Sequence, residues 1–264
     1  MLASIVLKIK NEERFIADAL ESLVQQEGPL EIIVVDAFSS DRSPEIVREF
    51  AERYPFLQLH QHAGTRGEGL NHGLRLAKGE IIALTDGDVV ADPRWLAEMR
   101  AAIADGADLV AGKTMNIGLR AWEDLHRVEL FNQGYDCSYP GCNLAFRREV
   151  CETVGGVDPW FITAEDVDFN IRATSAGFAL VHHPSAVIFS RVRDTLIGFL
   201  DQAFWNGAGR KQLTLKHGSL WSSYRPTNMM RQEMSFWALI RLFFAGLGYL
   251  GFKFFGERRP EPGA

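Results

Sequence analysis

The chain has 264 residues, of which 47% are hydrophobic and 23% are charged, a globular composition that excludes a disordered or collagen-like protein. Its net charge of -6 at pH 7 argues against a nucleic-acid-binding surface, which normally requires an excess of basic residues. The three cysteines lack CxxC spacing, which argues against a disulfide framework and a structural zinc site and indicates a reducing compartment.

Apolar patterns alternate between strands and helices over the first two-thirds of the sequence. The predicted strands are short apolar or β-branched runs, at residues 3–10, 31–35, 56–60, 80–85 and 108–112. The predicted helices show helical spacing or a capping residue, at residues 12–26, 43–54 with Ser43 as N-cap, 68–77, and after Asp92-Pro93. The N-terminal run lacks a basic segment and is typical of a strand, not a signal peptide. Such alternation predicts parallel βαβ units.

Polar and acidic residues follow several of the predicted strands. Asn11 and Glu12 follow the first strand, Asp36 follows the second, and Asp86 and Asp88 follow a later one. In open α/β sheets, functional sites lie at the carboxyl ends of the strands. Because acids gathered at one edge repel each other, we expect a cationic group there.

The DxD arrangement of Asp86, Gly87 and Asp88 directly follows a buried strand. Two carboxylates separated by a glycine that permits a tight turn can hold one hard cation together with its diphosphate ligand. Two solvated acids in a loop explain the same residues, and both interpretations stay open. Asp36 could bind a base or a ribose. The alternative, that this segment is only a turn rich in Ser and Asp, explains the presence of Asp36 less well.

A second acidic group, Glu165, Asp166 and Asp168, opens a predicted helix. The helix dipole favours negative charge at that position, which is a sufficient structural explanation. A carboxylate near a cation-bound diphosphate could also act as a general base toward an acceptor hydroxyl.

The ordered segments NEER, VVDAFSSDRS, LNHGLRLAKGEIIALTDGDVVADPRWL, PGCNLAFRRE and AEDVDF resemble the family 2 glycosyltransferases. The resemblance covers roughly residues 3–215. It implies the α/β GT-A fold, a Rossmann-like, mostly parallel sheet flanked by helices. It also implies a UDP- or GDP-sugar as nucleotide-diphospho-sugar donor, Mn²⁺ or Mg²⁺ as cofactor, a sugar or lipid-linked acceptor, and inversion. We expect residues 1–215 to form the catalytic domain and residues 216–264 a helical apolar tail.

The resemblance also implies roles on the donor side. The residues expected beside the nucleoside are Asn11, Glu12 and Asp36. Asp86 would face the ribose and the metal, and Asp88 would be a metal ligand. The residue expected to approach the donor phosphates is Arg66.

On the acceptor side, the pair Glu165-Asp166 would supply the catalytic base, most often through its second residue. Gly141 and Asn143, in PGCNLAFRRE, are predicted to contact substrate. Gln202 and Trp205 resemble the Gln/Trp-containing helix that lines the acceptor side in processive relatives; a core role for Trp205 in an amphipathic helix is equally compatible with the sequence.

The chain departs from the family pattern at several positions. Ala37 and Phe38 stand where a second acid and a glycine are usual, so base or ribose recognition is expected to differ. Ser190 falls near a position where a histidine often ligates the metal. Arg191 and Arg193 could hold the diphosphate or form an exposed basic loop.

The segment 236–255 is almost wholly apolar, interrupted only by Arg241 and Lys253. Because a charged arginine at bilayer depth is costly, we expect an interfacial or re-entrant helix rather than a simple span. A helix packed against the catalytic domain is the alternative. The GLGYLG sequence at 246–251 follows no strand and is not expected to bind a dinucleotide. The expected location is the cytoplasmic face of a membrane, where Arg258 and Arg259 suit an anionic surface.

Two other functions are compatible with parts of the sequence. A sugar-nucleotide pyrophosphorylase shares the βαβ start and the acids but needs a glycine-rich phosphate loop, and KIKNEER contains no glycine. A catalytically degenerate membrane scaffold is suggested by Ala37, Phe38 and Ser190. Metal-dependent nucleotide binding separates a scaffold from an enzyme.

Overall fold

A computed structural model describes residues 1–118, 125, 127–220 and 235–255; the predicted basic pair Arg258 and Arg259 lies outside these residues. The strands are β1 (Ala3–Ile9), β2 (Leu30–Asp36), β3 (Leu57–Gln61), β4 (Ile81–Asp86), β5 (Val89–Ala91), β6 (Leu109–Ile117), β7 (Phe131–Asn132), β8 (Tyr135–Asp136), β9 (Leu144–Arg147) and β10 (Leu180–Arg191). The helices are α1 (Ile16–Val24), α2 (Ser43–Arg53), α3 (Arg66–Leu76), α4 (Trp95–Ala104), α5 (Arg148–Val154), α6 (Glu165–Ser175), α7 (Leu196–His217) and α8 (Phe236–Phe255).

Eight strands form one sheet in the order β3-β2-β1-β4-β9-β6-β10-β5, and β7 pairs with β8 separately. Strands β1 to β4 run parallel to one another, and β6 runs parallel to β10. Strand β9 is antiparallel to both β4 and β6, and β5 is antiparallel to β10. The predicted mostly parallel α/β sheet is therefore confirmed.

Side chains on the two faces of the sheet enter separate cores. Ile5 and Leu7 of β1 pack in a cluster with residues of α1, α2 and α4. Val6, between them, packs in a second cluster with residues of α3, α5 and α6. A strand buried on both faces needs apolar residues at every position, which explains the continuous apolar runs in the sequence.

The helix predicted over residues 12–26 begins only at Ile16. Asn11 has a left-handed φ of 57°, and the next backbone N–H groups bind side chains of the segment after β2: that of Glu12 donates to Ser43 Oγ at 2.7 Å. These hydrogen bonds replace a first helical turn. Ser43 is consequently the first residue of α2 and not its N-cap, a position that Arg42 occupies.

The ends of β1, β2 and β4 meet at one edge of the sheet, here called the carboxyl edge. In the strand register, Ile9 lies beside Asp36 and Lys8 lies beside Asp86. Strand β9 runs in the opposite direction, so its start, beside Leu84 of β4, brings the preceding residues 141–143 to the same edge. This register gathers distant segments of the sequence at one place.

Helix α8 packs along α7 through glycines. A Cβ at Gly207 of α7 would overlap the carbonyl oxygen of Ala245, and one at Gly248 would overlap that of Phe204. The GLGYLG segment thus serves close helix packing. Helix α8 is also long and apolar enough to cross a membrane, by length and composition only, with a mean hydropathy of 1.3 over residues 236–254.

Candidate active site

Arg66 lies at the centre of the charged groups on the carboxyl edge. A capping box between Thr65 and Glu68 fixes the start of α3, so that Arg66 sits in its first turn. The Arg66 Nε donates to Glu165 Oε1 and its Nη2 donates to Asp86 Oδ1, both at 2.6 Å. The Asp86 charge is the main cause that raises the pKa of Arg66. Part of the cationic charge expected at this edge is therefore supplied by the chain itself.

The turn formed by Asp86, Gly87 and Asp88 packs closely on the end of β1. A Cβ at Gly87 would lie 2.9 Å from Ile9 Cγ2, and no left-handed φ occurs there. Gly87 lies in a turn, as the sequence suggested, and the close approach to Ile9 is what requires a glycine there. Burial and the Asp86 charge raise the pKa of Asp88. Burial, followed by the Asp88 and Asp86 charges, raises the pKa of Glu12 to about 7.

Burial is the main cause of the raised pKa values of Asp88 and Glu12, and the charges of neighbouring acids raise these values further. Carboxylate oxygens are the hard ligands that Mg²⁺ and Mn²⁺ prefer. In the described part of the chain, no three His, Cys, Asp or Glu side chains are grouped as a metal site. A divalent cation held by Asp86 and Asp88 would need further ligands, which diphosphate oxygens can provide. The residues present fit such a cation.

The first turn of α6 presents the predicted catalytic pair. Ala164, just before it, has a left-handed φ of 68°. Asp166 Oδ2 accepts a hydrogen bond from the N–H of Gly141 at 2.8 Å, and Oδ1 accepts one from the N–H of Val167 at 2.7 Å. Glu165 is buried, and burial raises its pKa. The Asp166 carboxylate is therefore oriented by backbone donors, while that of Glu165 is bound to arginine.

Asp36 lies at the carboxyl edge, as its position after β2 predicts, but its side chain is fully buried. Its carboxylate accepts hydrogen bonds from the N–H of Ser39 at 3.1 and 3.2 Å and from Gln61 Nε2 at 3.2 Å. The neighbouring exposed residue Asn11 accepts from the N–H of Ser40 at 2.9 Å. Asp36 thus holds the loop after β2 in place.

Phe38, in that same loop, is exposed and has a left-handed φ of 54°. It stands at the first departure from the family pattern and presents an aromatic ring to solvent near the predicted nucleoside side.

Three predicted substrate-binding residues lie away from this cluster. Asn143 is buried; its Oδ1 accepts from Trp95 Nε1 at 2.8 Å, so its side chain supports the interior and does not join the charged groups at the carboxyl edge. Gln202 lies on α7 and lines a separate cavity. Trp205 is 38% exposed and donates from Nε1 to Asp201 Oδ1 at 3.1 Å, which is not the core position considered from the sequence.

Two cations near the site carry little sequence signal. Lys8 is partly buried in β1, and burial and the Arg66 charge lower its pKa. The sequence signal for Lys8 was a lysine inside a mostly apolar strand. The Arg193 charge acts to lower the pKa values of Glu12 and Asp88, whereas the neighbouring acids raise them. Arg191 is instead paired with Asp18 of α1 at 2.7 Å.

Ser190, at the position of the expected metal-ligating histidine, is paired with Val89 in the β10–β5 register. It therefore lies beside the DxD turn and offers a hydroxyl where the family pattern has an imidazole.

The fold gathers these charged residues at the carboxyl edge of one sheet, and comparison with known sequences gives the family. A family model described as Glycosyl transferase family 2 matches residues 4–155, and one described as Glycosyl transferase family group 2 matches residues 81–252. Because the first match spans more than half of the chain, the protein belongs to the family 2 glycosyltransferases.

Individual proteins agree with this assignment. The probable glycosyltransferase YdaM of Bacillus subtilis is 25% identical over 92% of this chain and 63% of its own length. The chain spans about half to two-thirds of the length of the curated relatives that it matches. The mannosyltransferase PcManGT from Pyrobaculum calidifontis, in complex with GDP-Man and Mn²⁺, superposes with a TM-score of 0.67 and 22% identity over 97% of this chain and 76% of that one. S. aureus TarS 1-349, in complex with UDP-GlcNAc, superposes with a TM-score of 0.64 and 18% identity over 93% and 79%. These structures share the GT-A fold.

Proposed function

We propose that the protein transfers a sugar, with inversion and with the help of a divalent cation, from a nucleotide-diphospho-sugar to an acceptor hydroxyl. One observation carries this proposal: Arg66 joins Asp86, at the end of β4, to Glu165, at the start of α6. The predicted donor side and the predicted base side thus meet at one guanidinium group. The complexes of PcManGT with GDP-Man and Mn²⁺ and of TarS with UDP-GlcNAc support a nucleotide-sugar donor and a metal. They leave two bases to test, uracil and guanine.

The proposed reaction is a single in-line displacement at the anomeric carbon. The acceptor hydroxyl oxygen forms the new bond while the bond to the nucleoside diphosphate breaks, which inverts the configuration. Asp166 accepts the hydroxyl proton, because the N–H groups of Gly141 and Val167 orient its carboxylate and a positioned base assists such a step. A bound Mn²⁺ or Mg²⁺ would neutralise the leaving diphosphate as a Lewis acid.

The remaining residues at the carboxyl edge are proposed to bind the donor. Asp88, with Asp86, would hold the cation, and Glu12 and Asn11 would lie beside the nucleoside. Arg66 orients both Asp86 and Glu165 and brings positive charge toward the donor phosphates. Asp36 supports this region by fixing the loop after β2.

The apolar face of α8 supports a membrane-proximal acceptor. Only 11% of the apolar helix, residues 236–254, is buried against the rest of the protein, and exposed apolar surface of this extent marks an interaction site. We propose that residues 1–215 carry out transfer and that the tail places them at the cytoplasmic face of a membrane. A sugar or lipid-linked acceptor used in cell-envelope or glycolipid synthesis fits that location.

Calorimetric titration of the purified protein with UDP and with GDP, each with and without Mn²⁺, tests the donor site. We expect one nucleotide to bind only with Mn²⁺, and Asp88→Asn to weaken this binding by about tenfold or more. Asp105→Asn is the matched control, because it removes one carboxylate charge at an exposed position at the end of α4. If neither nucleotide binds in either condition, the transferase proposal is wrong and the scaffold function takes its place.

A further inference from the structure

A cavity of about 380 Å³ lies between β6, β10, α7 and α8, away from Asp166. Its described lining includes four arginines and neither aspartate nor glutamate; the arginines are Arg127, Arg191, Arg210 and Arg241. The chain as a whole has a net charge of -6, whereas this lining is cationic. We call this space the arginine cavity.

Contacts within the protein hold three of these guanidinium groups in place. Arg127 binds the carboxylate of Asp136 and lies over a tyrosine ring at 3.9 Å. Arg191 binds Asp18 at 2.7 Å, and Arg210 donates to a backbone carbonyl at 3.1 Å. Side chains anchored in this way lose little freedom when they bind a ligand, which makes the cavity preorganised.

Two neutral amide side chains also line the arginine cavity. Gln202 and Asn206 lie at its exposed side, where their NH₂ groups can donate hydrogen bonds to an anionic oxygen.

Arginine forks match the oxygens of a phosphoryl group, which carries up to two negative charges and three acceptor oxygens. A volume of about 380 Å³ is within the range of small-molecule sites, ~300–1,000 Å³. The charge and the size therefore favour a phosphorylated ligand over a neutral sugar.

The arginine cavity adjoins both the proposed donor site and the apolar helix. Ser190, in its wall, pairs with Val89, the residue after Asp88, and the N–H of Arg191 donates to the Asp88 carbonyl at 3.4 Å. On the opposite side the wall contains Leu242 of α8. Leu242 is 38% exposed, and the next residue, Phe243, is 62% exposed, so an apolar surface continues from the cavity along the helix.

We infer that the arginine cavity binds the phosphoryl group of an amphiphilic acceptor whose apolar chain lies along α8. This inference rests on the proposed function, because it assigns the ligand as the acceptor. Its place between the DxD turn and the membrane-facing helix puts the polar end of such a molecule beside the donor site. The apolar end stays in contact with leucine and phenylalanine side chains.

Binding of decyl phosphate to the full chain, in a neutral maltoside detergent at fixed concentration, tests the site by calorimetry without any nucleotide. Two comparison ligands separate its parts: 1-decanol lacks the phosphoryl group and inorganic phosphate lacks the chain. We expect decyl phosphate to bind at least about tenfold more tightly than either. Equal affinity of inorganic phosphate and decyl phosphate would overturn the assignment to an amphiphile.

Charge-removing variants locate the binding site. Arg210→Gln and Arg241→Gln should each weaken decyl phosphate binding by about tenfold, whereas Lys253→Gln should leave it unchanged. Lys253 is the matched control because it is an exposed cation on the same helix as Arg241 and does not line the arginine cavity. If Arg210→Gln unfolds the protein, decyl phosphate binding to Arg241→Gln, on the more exposed helix α8, tests the inference instead. Unchanged affinity in the arginine variants would overturn the inference.

The same variants distinguish failure of this inference from failure of the proposed function. Nucleotide binding with Mn²⁺ should be retained in Arg241→Gln, because that side chain belongs to the arginine cavity and not to the donor site. Decyl phosphate binding without any nucleotide binding would reject the transferase proposal and keep the anion site. Nucleotide binding without decyl phosphate binding would reject the anion site and keep the transferase proposal.

Discussion

Arg66 and Glu165 are joined by a hydrogen bond of 2.6 Å, although 99 residues separate them in the chain. The same guanidinium group binds Asp86, so that the end of β4 and the start of α6 share one cation. Glu165 is only 5% exposed, and a buried carboxylate without its partner is strongly unfavourable. The Arg66–Glu165 pair therefore helps to fix the start of α6 relative to the end of β4, the two parts of the candidate site.

Replacement of Arg66 by glutamine should lower the free energy of unfolding. We expect about 2 kcal/mol, below the usual cost of breaking a buried pair because the Arg66 side chain is 37% exposed. Glu165→Gln in the same chain should restore at least part of the loss, since it removes the buried negative charge. Urea unfolding of both single variants and the double variant measures this. Additive losses in the double variant would show that the pair does not couple.

Replacement of Asp166 by asparagine should lower kcat by ~10²–10⁴-fold, the usual contribution of a positioned base, and leave donor binding intact. The asparagine keeps the acceptor oxygen for the Gly141 N–H but no longer takes up a proton. Transfer to an acceptor found by screening, with the anomeric configuration read by NMR, provides the measurement, and Asp105→Asn is the control. Wild-type turnover with unaltered stereochemistry in Asp166→Asn would exclude it as the base.

The stability of the protein should fall as pH rises through the titration of Glu12. Its folded-state pKa is about 7 against an ordinary 4.5, so between these values the native protein retains a proton that the unfolded chain has released. The free energy of unfolding therefore decreases with rising pH in this window. Glu12→Gln should be more stable than wild type at about pH 8, on the order of 1 kcal/mol, and similar at about pH 4.5. Parallel unfolding curves at both pH values would contradict the raised pKa.

Metal binding should depend on pH in the same range, between the ordinary and the raised pKa of Glu12. Because a cation at Asp88 favours ionised carboxylates nearby, binding of nucleotide with Mn²⁺ should strengthen as pH rises toward about 7 and should release protons. Calorimetry in two buffers of different ionisation enthalpy measures the number released. The same experiment on Glu12→Gln should show fewer protons.

Asp168 connects α6 to α7. Its fully buried carboxylate binds Arg172, Lys216 and His217. Although burial opposes ionisation, these partners lower the pKa of Asp168 to about 2. A depressed folded-state pKa stabilises the protein above the ordinary value of 3.8, and this stabilisation is lost as pH falls toward 2.

We therefore expect Asp168→Asn to cost about 3 kcal/mol near neutral pH and to flatten the acid-induced loss of stability. Acid titration followed by circular dichroism, with the exposed Asp105→Asn as control, is the measurement. An acid transition with the wild-type slope in Asp168→Asn would refute this role.

The parts of the site that follow from local patterns could be predicted from the sequence. Asp36 and Asp86 lie at one edge because each ends a parallel strand, and strand ends are visible as boundaries of apolar runs. The start of α1 could not be found in this way, because the N–H groups of residues 11–13 bind side-chain oxygens of residues 39–43 instead of beginning a helix. Such contacts depend on the register of β1 and β2, which no local pattern contains.

Side-chain contacts between distant segments could likewise not be predicted from the sequence. Asn143 sits in a motif segment near the site, yet its amide oxygen accepts a hydrogen bond from Trp95 in the interior. Arg66 can bind both Asp86 and Glu165 only because α3 lies close to α6 in the fold, and the sequence does not show this proximity. The arginine cavity requires four segments to meet, and each arginine alone is unremarkable in the sequence.

The packing of α8 on α7 gives a prediction with a control on the exposed side of α8. A Cβ at Gly207 would overlap the Ala245 carbonyl oxygen, a backbone atom, whereas one at Gly246 has open space within 4 Å. Gly207→Ala should therefore separate the two helices and make α8 more sensitive to proteolysis. Gly246→Ala should leave the packing intact and add roughly 0.5–1 kcal/mol of helix stability.

Limited proteolysis and thermal unfolding in detergent distinguish these two variants. Because Arg210 is on α7 and Arg241 is on α8, separation of the helices also opens the arginine cavity. Gly207→Ala should thus weaken decyl phosphate binding while leaving nucleotide binding, which depends on the carboxyl edge, at the wild-type level. Equal protease sensitivity of Gly207→Ala and Gly246→Ala would show that α8 does not rest on α7 through these glycines.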